Sequence, residues 1–313
     1  MGSSNGAINE AEVIALLAKI FQSTDPRIEV GIGDDAAVVK SIDTPTSRQV
    51  ITTDMAVEGV HFKKEWSSAF EIGRKVTAAN LADLLAMGAI PNYLVVAISL
   101  TGFEELSWIK DLAEGIAHEA KLGGASVIGG DLTRGESITI SMTALGTTLN
   151  PILRSGAEVG DSIYLSSLTG WSAAGLRMLE NGLAPKSEAE FKAVSEFRAP
   201  TIDYEMNFQK ASSMCDISDA ILIQAKQLAE ASGVALSFDM KAISSAPEFA
   251  ELSSVAQRLE MDVFEFIFGG GEDHVLLATG KSLPGIYVGE VIAGSGLKGL
   301  EMKKAPETWR HFN

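Results

Sequence analysis

The chain has 313 residues, about twice the ~150 of an average domain, which sets an expectation of two domains. Hydrophobic residues make up 46% and charged residues 21%, with 30 Gly against 9 Pro, a globular composition that excludes a disordered or collagen-like chain. The 25 basic and 41 acidic side chains leave a formal charge of −16, which argues against a nucleic-acid or membrane partner and in favour of bound cations.

Cys215 is the single cysteine, so no intrachain disulfide can form and a reducing cytoplasm is the expected home. The longest apolar stretch, Leu84 to Leu100, is broken by Gly88, Pro91 and Asn92 and falls short of the ~20 residues that span a bilayer. Met1 to Gly6 reads as an expression remnant outside the fold.

Apolar spacing from Ile8 to Phe21 predicts a short amphipathic helix. Glu29 to Val39 predicts a strand, and Gln49 to Thr53 predicts another that runs into Asp54. Ser68 and Glu71 form a capping box that opens a helix through Met87, closed by Gly88 and Pro91. Tyr93 to Leu100 then reads as a buried strand, Glu104 to Leu122 as a long helix, and Ile138 to Leu145 as a further strand.

The turn at Asn150-Pro151 divides the chain into domains 8–149 and 150–313. Past it come a strand at Ser162 to Ser166, a helix at Ser172 to Leu179, a polar link to Pro200 and a helix from about Ile217 to Ala231. Strands follow near Val234 to Phe238, His274 to Thr279 and Ile286 to Ile292. The fold class is therefore mixed α/β.

Neither common phosphate loop is present. Gly280-Lys281-Ser282 mimics the end of a Walker A loop, but Val275 stands where its first Gly belongs. Gly294 to Gly299 fits G-x-G-x-x-G, yet too little chain remains for a helix and a returning strand, so it reads as a turn.

What distinguishes the sequence is a set of aspartates beside Gly or hydroxyl residues: Asp34, Asp35, Asp54, Asp83, Asp131, Asp216 and Asp219. Asp83 lies in an apolar helix where an isolated charge is costly, and it shares a face with Asn80. If these carboxylates converge, their repulsion demands cations, and an all-oxygen donor set selects Mg²⁺ or Mn²⁺. The ligand implied is a metal-bridged phosphate chain.

Seven motifs follow one another along the chain: Gly31-Ile32-Gly33-Asp34-Asp35-Ala36, Thr52-Thr53-Asp54 with Val57 to Phe62, Asn80-Leu81-Ala82-Asp83-Leu84, Ile128-Gly129-Gly130-Asp131, Arg154-Ser155-Gly156-Ala157, Asp216-Ile217-Ser218-Asp219 and Gly270-Gly271-Glu272-Asp273. In this order they resemble the motifs of the thiamine-monophosphate kinase family. The wider superfamily is that of aminoimidazole ribonucleotide synthetase, which includes the hydrogenase-maturation dehydratase. The resemblance implies two α/β domains with an ATP site between them, a homodimer whose N-terminal strands form a barrel, and phosphorylation of thiamine monophosphate by direct in-line transfer from ATP. It implies that Asp35, Thr52, Thr53, Asp54, Asp83, Asp131, Asp216 and Asp219 hold several Mg²⁺ ions. Gly130, Asp131, Arg154 and Ser218 would then meet ATP, and His61, Glu272 and Trp309 the thiamine phosphate. Asp54, Asp83 and Arg154 would carry the catalysis.

The chain departs from the family pattern at Ala82, Leu132, Ala220 and His274-Val275, and it lacks the acid usual one turn into the helix after Asp219. None of these removes an implied ligand. The alternatives are a dehydratase-like relative, disfavoured by the absence of a C-terminal cysteine, and a non-catalytic ATP-binding regulator. His118, His274 and His311 read as surface or packing residues.

Overall fold

The computed structural model describes residues 10–30, 38–39 and 47–300. They fall into two units. One runs through Leu84 and resumes over Ile90–Leu149, and the other joins Leu85–Ala89 to the chain from Asn150 onward.

The first unit contains α1 (Glu10–Ile20), β1 (Ile28–Val30), β2 (Val38–Val39), β3 (Arg48–Val57), α2 (Ala69–Ala86), β4 (Ile90–Leu100), α3 (Leu106–Leu122), β5 (Ser126–Arg134) and β6 (Thr139–Thr148). Its four-stranded sheet has the order β3-β6-β4-β5. The pairs are antiparallel except β4 with β5, which α3 connects as a parallel crossover. Strand β6 alternates strictly: Ile140, Met142 and Ala144 are fully buried, while the residues between them are not. One sheet face is thus a core face and the other is open.

Helix α2 opens on the predicted capping box, with Ser68 N donating to Glu71 Oε2 at 2.7 Å and Glu71 N to Ser68 Oγ at 3.3 Å. It packs against α3 through glycines. A Cβ on Gly73 would collide with the Leu112 carbonyl, and one on Gly115 with the Phe70 carbonyl. Each Gly costs a helix about 1 kcal/mol in propensity, and here it permits backbone contact that no side chain allows. Arg74 Nε, 2.8 Å from the buried Glu119 Oε2, pairs the same two helices.

The second unit contains β7 (Ser162–Leu165), α4 (Trp171–Glu180), α5 (Glu188–Arg198), β8 (Ser213–Ile217), α6 (Ile221–Ser232), β9 (Ala235–Phe238), α7 (Met240–Ser244), α8 (Phe249–Arg258), α9 (Val263–Gly269), β10 (Val275–Gly280), β11 (Ile286–Ile292) and β12 (Gly296–Lys298). Its six strands run β12-β9-β11-β7-β10-β8. Leu165, Met178, Leu228, Phe268 and Leu277 lie in its core. The short insert from 85 to 89 is held by Ile152 N donating to Met87 O at 3.1 Å and by Gln209 Nε2 donating to Gly88 O at 2.9 Å. Among the described residues no helix is long and apolar enough to cross a membrane.

Several expectations are corrected. Asp54 lies inside β3, not past its end, and Asp131 lies inside β5, a strand with no counterpart in the sequence reading. The polar link before Pro200 contains α5, because Ser187 accepts from Glu190 N and Ala193, Val194 and Phe197 turn inward. The helix expected from Ile217 begins at Ile221, which leaves Asp216 in β8 and Ser218 and Asp219 in the turn. Gly296 to Lys298, read as a turn, pairs with β9. Helices α7 to α9 have no counterpart in the sequence reading.

Candidate functional site

In the first unit, neighbouring residues of β3 alternate between faces. Thr52 and Asp54 share the core face, and α2 reaches them there. Thr52 Oγ1 donates to Asp83 Oδ2 at 2.6 Å, and Asp54 N donates to Asn80 Oδ1 at 3.2 Å. Asn80, fully buried, is itself fixed by Nδ2 donating to Val76 O at 2.9 Å. The i, i+3 pair Asn80 and Asp83 therefore grips one edge strand at two places. Thr53 points to the other face, where its Oγ1 donates to Met142 O at 3.0 Å.

Asp54, Met142, Val96 and Gly130 form one row across the sheet, and Met55, Ser141, Ala97 and Asp131 form the next. Gly130 and Asp131 thus lie on the opposite edge from β3, three strand spacings or about 14 Å away. Asp131 belongs to the open face and Asp54 to the core face. A Cβ at Gly130 would strike the Val96 carbonyl, so this position requires Gly. After β3, Val57 N donates to His61 Nδ1 at 3.1 Å, which leaves the proton of the neutral ring on Nε2.

In the second unit, Asp216, Ser218, Asp219, Glu272 and His274 meet where β8 and β10 pair. Glu272 N donates to Ser218 O at 2.6 Å and His274 N to Ile217 O at 3.0 Å. His274 Nδ1 lies 3.5 Å from Asp216 Oδ2, so this residue sits beside a predicted ligand instead of serving in packing alone. Gln224, unread in the sequence, stands one turn into α6 and is buried. Its Oε1 accepts from Ala220 N at 2.9 Å, and its Nε2 donates to Ser218 Oγ and Asp219 Oδ2, each at 3.1 Å. Cys215 is pushed up to about 12, by burial first and the Asp216 charge second, with Arg154 pulling the other way. A thiol of that kind is no nucleophile at neutral pH.

Among the described residues no three His, Cys, Asp or Glu side chains are grouped so as to hold a metal ion. In the first unit Thr52 and Asp83 are paired, and in the second Gln224 bridges Ser218 and Asp219, while Asp131 lies on the opposite edge of its sheet from Asp54. Asp35 and Trp309 lie outside the described residues.

Residues 33–148 match the family model described as AIR synthase related protein, N-terminal domain. Over 287 residues the chain is 34% identical to the thiamine-monophosphate kinase of Corynebacterium glutamicum, covering 89% of this chain and 83% of that protein. It is similar to the crystal structure of thiamine-monophosphate kinase from Stenotrophomonas maltophilia K279a, with TM-score 0.79 and 28% identity over 92% of this chain and 94% of that one. It is also similar to the structure described as AaThiL complexed with AMPPCP and TMP, with TM-score 0.77 and 27% identity over 100% and 99% of the two chains.

Proposed function

This chain belongs to the thiamine-monophosphate kinase family, and on that premise we propose how its own residues carry the family's reaction. ATP is the phosphoryl donor and thiamine monophosphate the acceptor, giving thiamine diphosphate and ADP. The observation that carries this is the 34% identity over 287 residues, a span that takes in both units.

Transfer is direct and in line. A phosphate monoester is already a nucleophile at neutral pH, so no side-chain base or covalent intermediate is needed. The loose transition state asks the protein for position and charge neutralisation. Arg154, exposed on the second unit, supplies a fixed cation to phosphate oxygens. Glu272, held by its own backbone against Ser218, serves the cationic thiamine moiety, a role the family resemblance also gives to His61 and Trp309. Gly130, Asp131 and Ser218 meet ATP, Gly130 offering a bare backbone.

Mg²⁺ fits donors that are all oxygen: Thr52, Asp54 and Asp83 on the core side of the first sheet, Thr53 and Asp131 on its open face, Asp216 and Asp219 in the second unit, with Asp35 added by the resemblance. Mg²⁺ characteristically takes one or two carboxylates and completes its shell with phosphate oxygens and water, which suits paired side chains better than a closed cage. When bound, it neutralises charge on the transferring phosphoryl group.

A homodimer is supported by the open face of the first sheet, where Ile51 is 61%, Met55 57% and Val95 37% exposed; a second copy would cover it. The cytoplasm, where ATP is abundant and Cys215 stays reduced, is the fitting compartment.

The test is chromatographic assay of thiamine diphosphate and ADP with Mg²⁺-ATP and thiamine monophosphate. Equal yields of the two products are expected. ADP formation that does not depend on thiamine monophosphate would overturn the reading.

A further inference from the structure

Helix α4 begins without a cap of its own. Its N-cap position is Gly170, which has no side chain and whose φ of 101° suits only glycine. The first turn gives no help, because the buried Ser172 Oγ and Trp171 Nε1 make no hydrogen bond among the described residues. The cap comes from a hundred residues away. Asp273 Oδ2 accepts from Gly170 N at 2.7 Å and Oδ1 accepts from Ser172 N at 2.9 Å, with Asp273 itself buried.

Asp273 is the residue after Glu272, in a segment that few sequences could adopt. Glu272 and His274 both have left-handed backbone, at φ 61° and 51°, which is unusual for residues with side chains. A Cβ on Gly270 would strike the Phe266 carbonyl, and one on Gly271 the carbonyls of Ser218 and Asp219. On one side Glu272 N and His274 N bond to Ser218 O and Ile217 O. On the other, the Asp273 carboxylate is plugged into the end of α4. The backbone of Glu272 is thereby held on both flanks, in a conformation it would leave if either anchor failed.

We propose that Asp273 is a positioning residue for thiamine monophosphate, fixing Glu272 by clamping its segment to the N-terminus of α4. The proposal rests on the reading of Glu272 as a substrate residue. Ser218 and Asp219, although Ser218 O also meets Glu272 N, have a second hold from Gln224 of α6, so loosening Asp273 disturbs the thiamine side of the site more than the ATP side.

The experiment is a double-mutant cycle on Asp273→Asn and Glu272→Gln, reading KM for both substrates, kcat and melting temperature for each protein. Asp273→Asn keeps the shape but sets an NH₂ against a backbone N–H. It is expected to raise KM for thiamine monophosphate about tenfold and to leave KM for ATP within twofold, while the double variant behaves like Glu272→Gln alone, because a residue that acts through another adds nothing once the other is gone. Asp273→Ser, with one acceptor in less volume, replaces Asp273→Asn if that protein does not fold and is read in the same way. Effects on KM that multiply in the double variant, or a fall in melting temperature with both KM values unchanged, would overturn the positioning role. A silent Glu272→Gln would overturn the substrate reading and the proposal with it, an outcome distinguishable from the first because it appears in that single variant.

Discussion

Thr52 Oγ1 and Asp83 Oδ2 are 2.6 Å apart, joining the edge strand β3 to the inward side of α2. The hydroxyl donates, so its own lone pairs point to acceptor work, a disposition suited to a cation. Asn80, one turn earlier on the helix, receives the backbone N–H of Asp54. Asp54→Asn is therefore expected to lower kcat by 100-fold or more, about 3 kcal/mol of transition-state stabilisation, with little change in melting temperature because the Asn80 contact is made to backbone. Full turnover by the folded variant would remove Asp54 from the site.

Thr52→Val keeps the shape of the side chain and deletes the bond to Asp83. Loss of a hydrogen bond to a charged group costs about 1.5 to 3 kcal/mol, and the apparent Mg²⁺ requirement should rise several-fold. Titrating activity against Mg²⁺ checks it; an unchanged curve would mean that Asp83 needs no help from β3.

The glycine crossing of α2 and α3 predicts that Gly115→Ala destabilises by about 1 to 3 kcal/mol or more, because the new methyl group meets backbone that cannot move aside. Helix propensity alone would favour alanine by about 1 kcal/mol. Denaturant melts give the sign directly, and a stabilised variant would refute the close crossing.

Burial pushes the Asp273 carboxyl up to about 6, against the pull of the Ser172 and Gly170 N–H donors. Its ordinary value is 3.8, so between about 4 and 6 the folded chain keeps a proton that the unfolded chain has released. The stability linked to that proton is whole below about 4 and is lost as pH rises through about 6. Asp273→Asn cannot titrate, so from pH 4.5 to 7 it should gain on the parent protein by about 2 kcal/mol. Paired urea melts at the two pH values measure this, and a gain in the opposite direction would contradict the buried carboxyl.

Cys215 should resist iodoacetamide in the native protein at pH 8 and react once the chain is unfolded, since its thiol is both buried and held at about 12. Mass spectrometry decides it; rapid native labelling would place the thiol at the surface.

Periodicity made β6 and α3 legible, because β6 alternates buried and exposed positions and α3 buries residues three and four apart, and the capping box at Ser68 is a local signal read without tertiary context. The i, i+3 spacing of Asn80 and Asp83 likewise put them on one helix face, and that face meets β3. Asp273 was hidden for a different reason. Its two partners lie about a hundred positions away in the chain, and no local pattern announces a helix capped from that distance. Gln224 was passed over because an amide in the place of an acid reads as a loss, whereas its two ends satisfy three groups at once. Helix α5 was missed because its polar residues outnumber the three apolar ones that turn inward.

The insert from Leu85 to Ala89 bears on how the chain can be taken apart. A fragment ending at Leu149 would include Ala86 but not Ile152, Phe208, Met214, Leu276 or Ala278, the apolar residues it packs with. Met87 O would lose Ile152 N, and Gly88 O would lose Gln209. Cutting at the obvious turn therefore gives an incomplete product, with a sticky segment in the middle of its sequence. A complementary fragment from Asn150 would carry the matching hole, and the two pieces, co-expressed, have a ready means of finding each other.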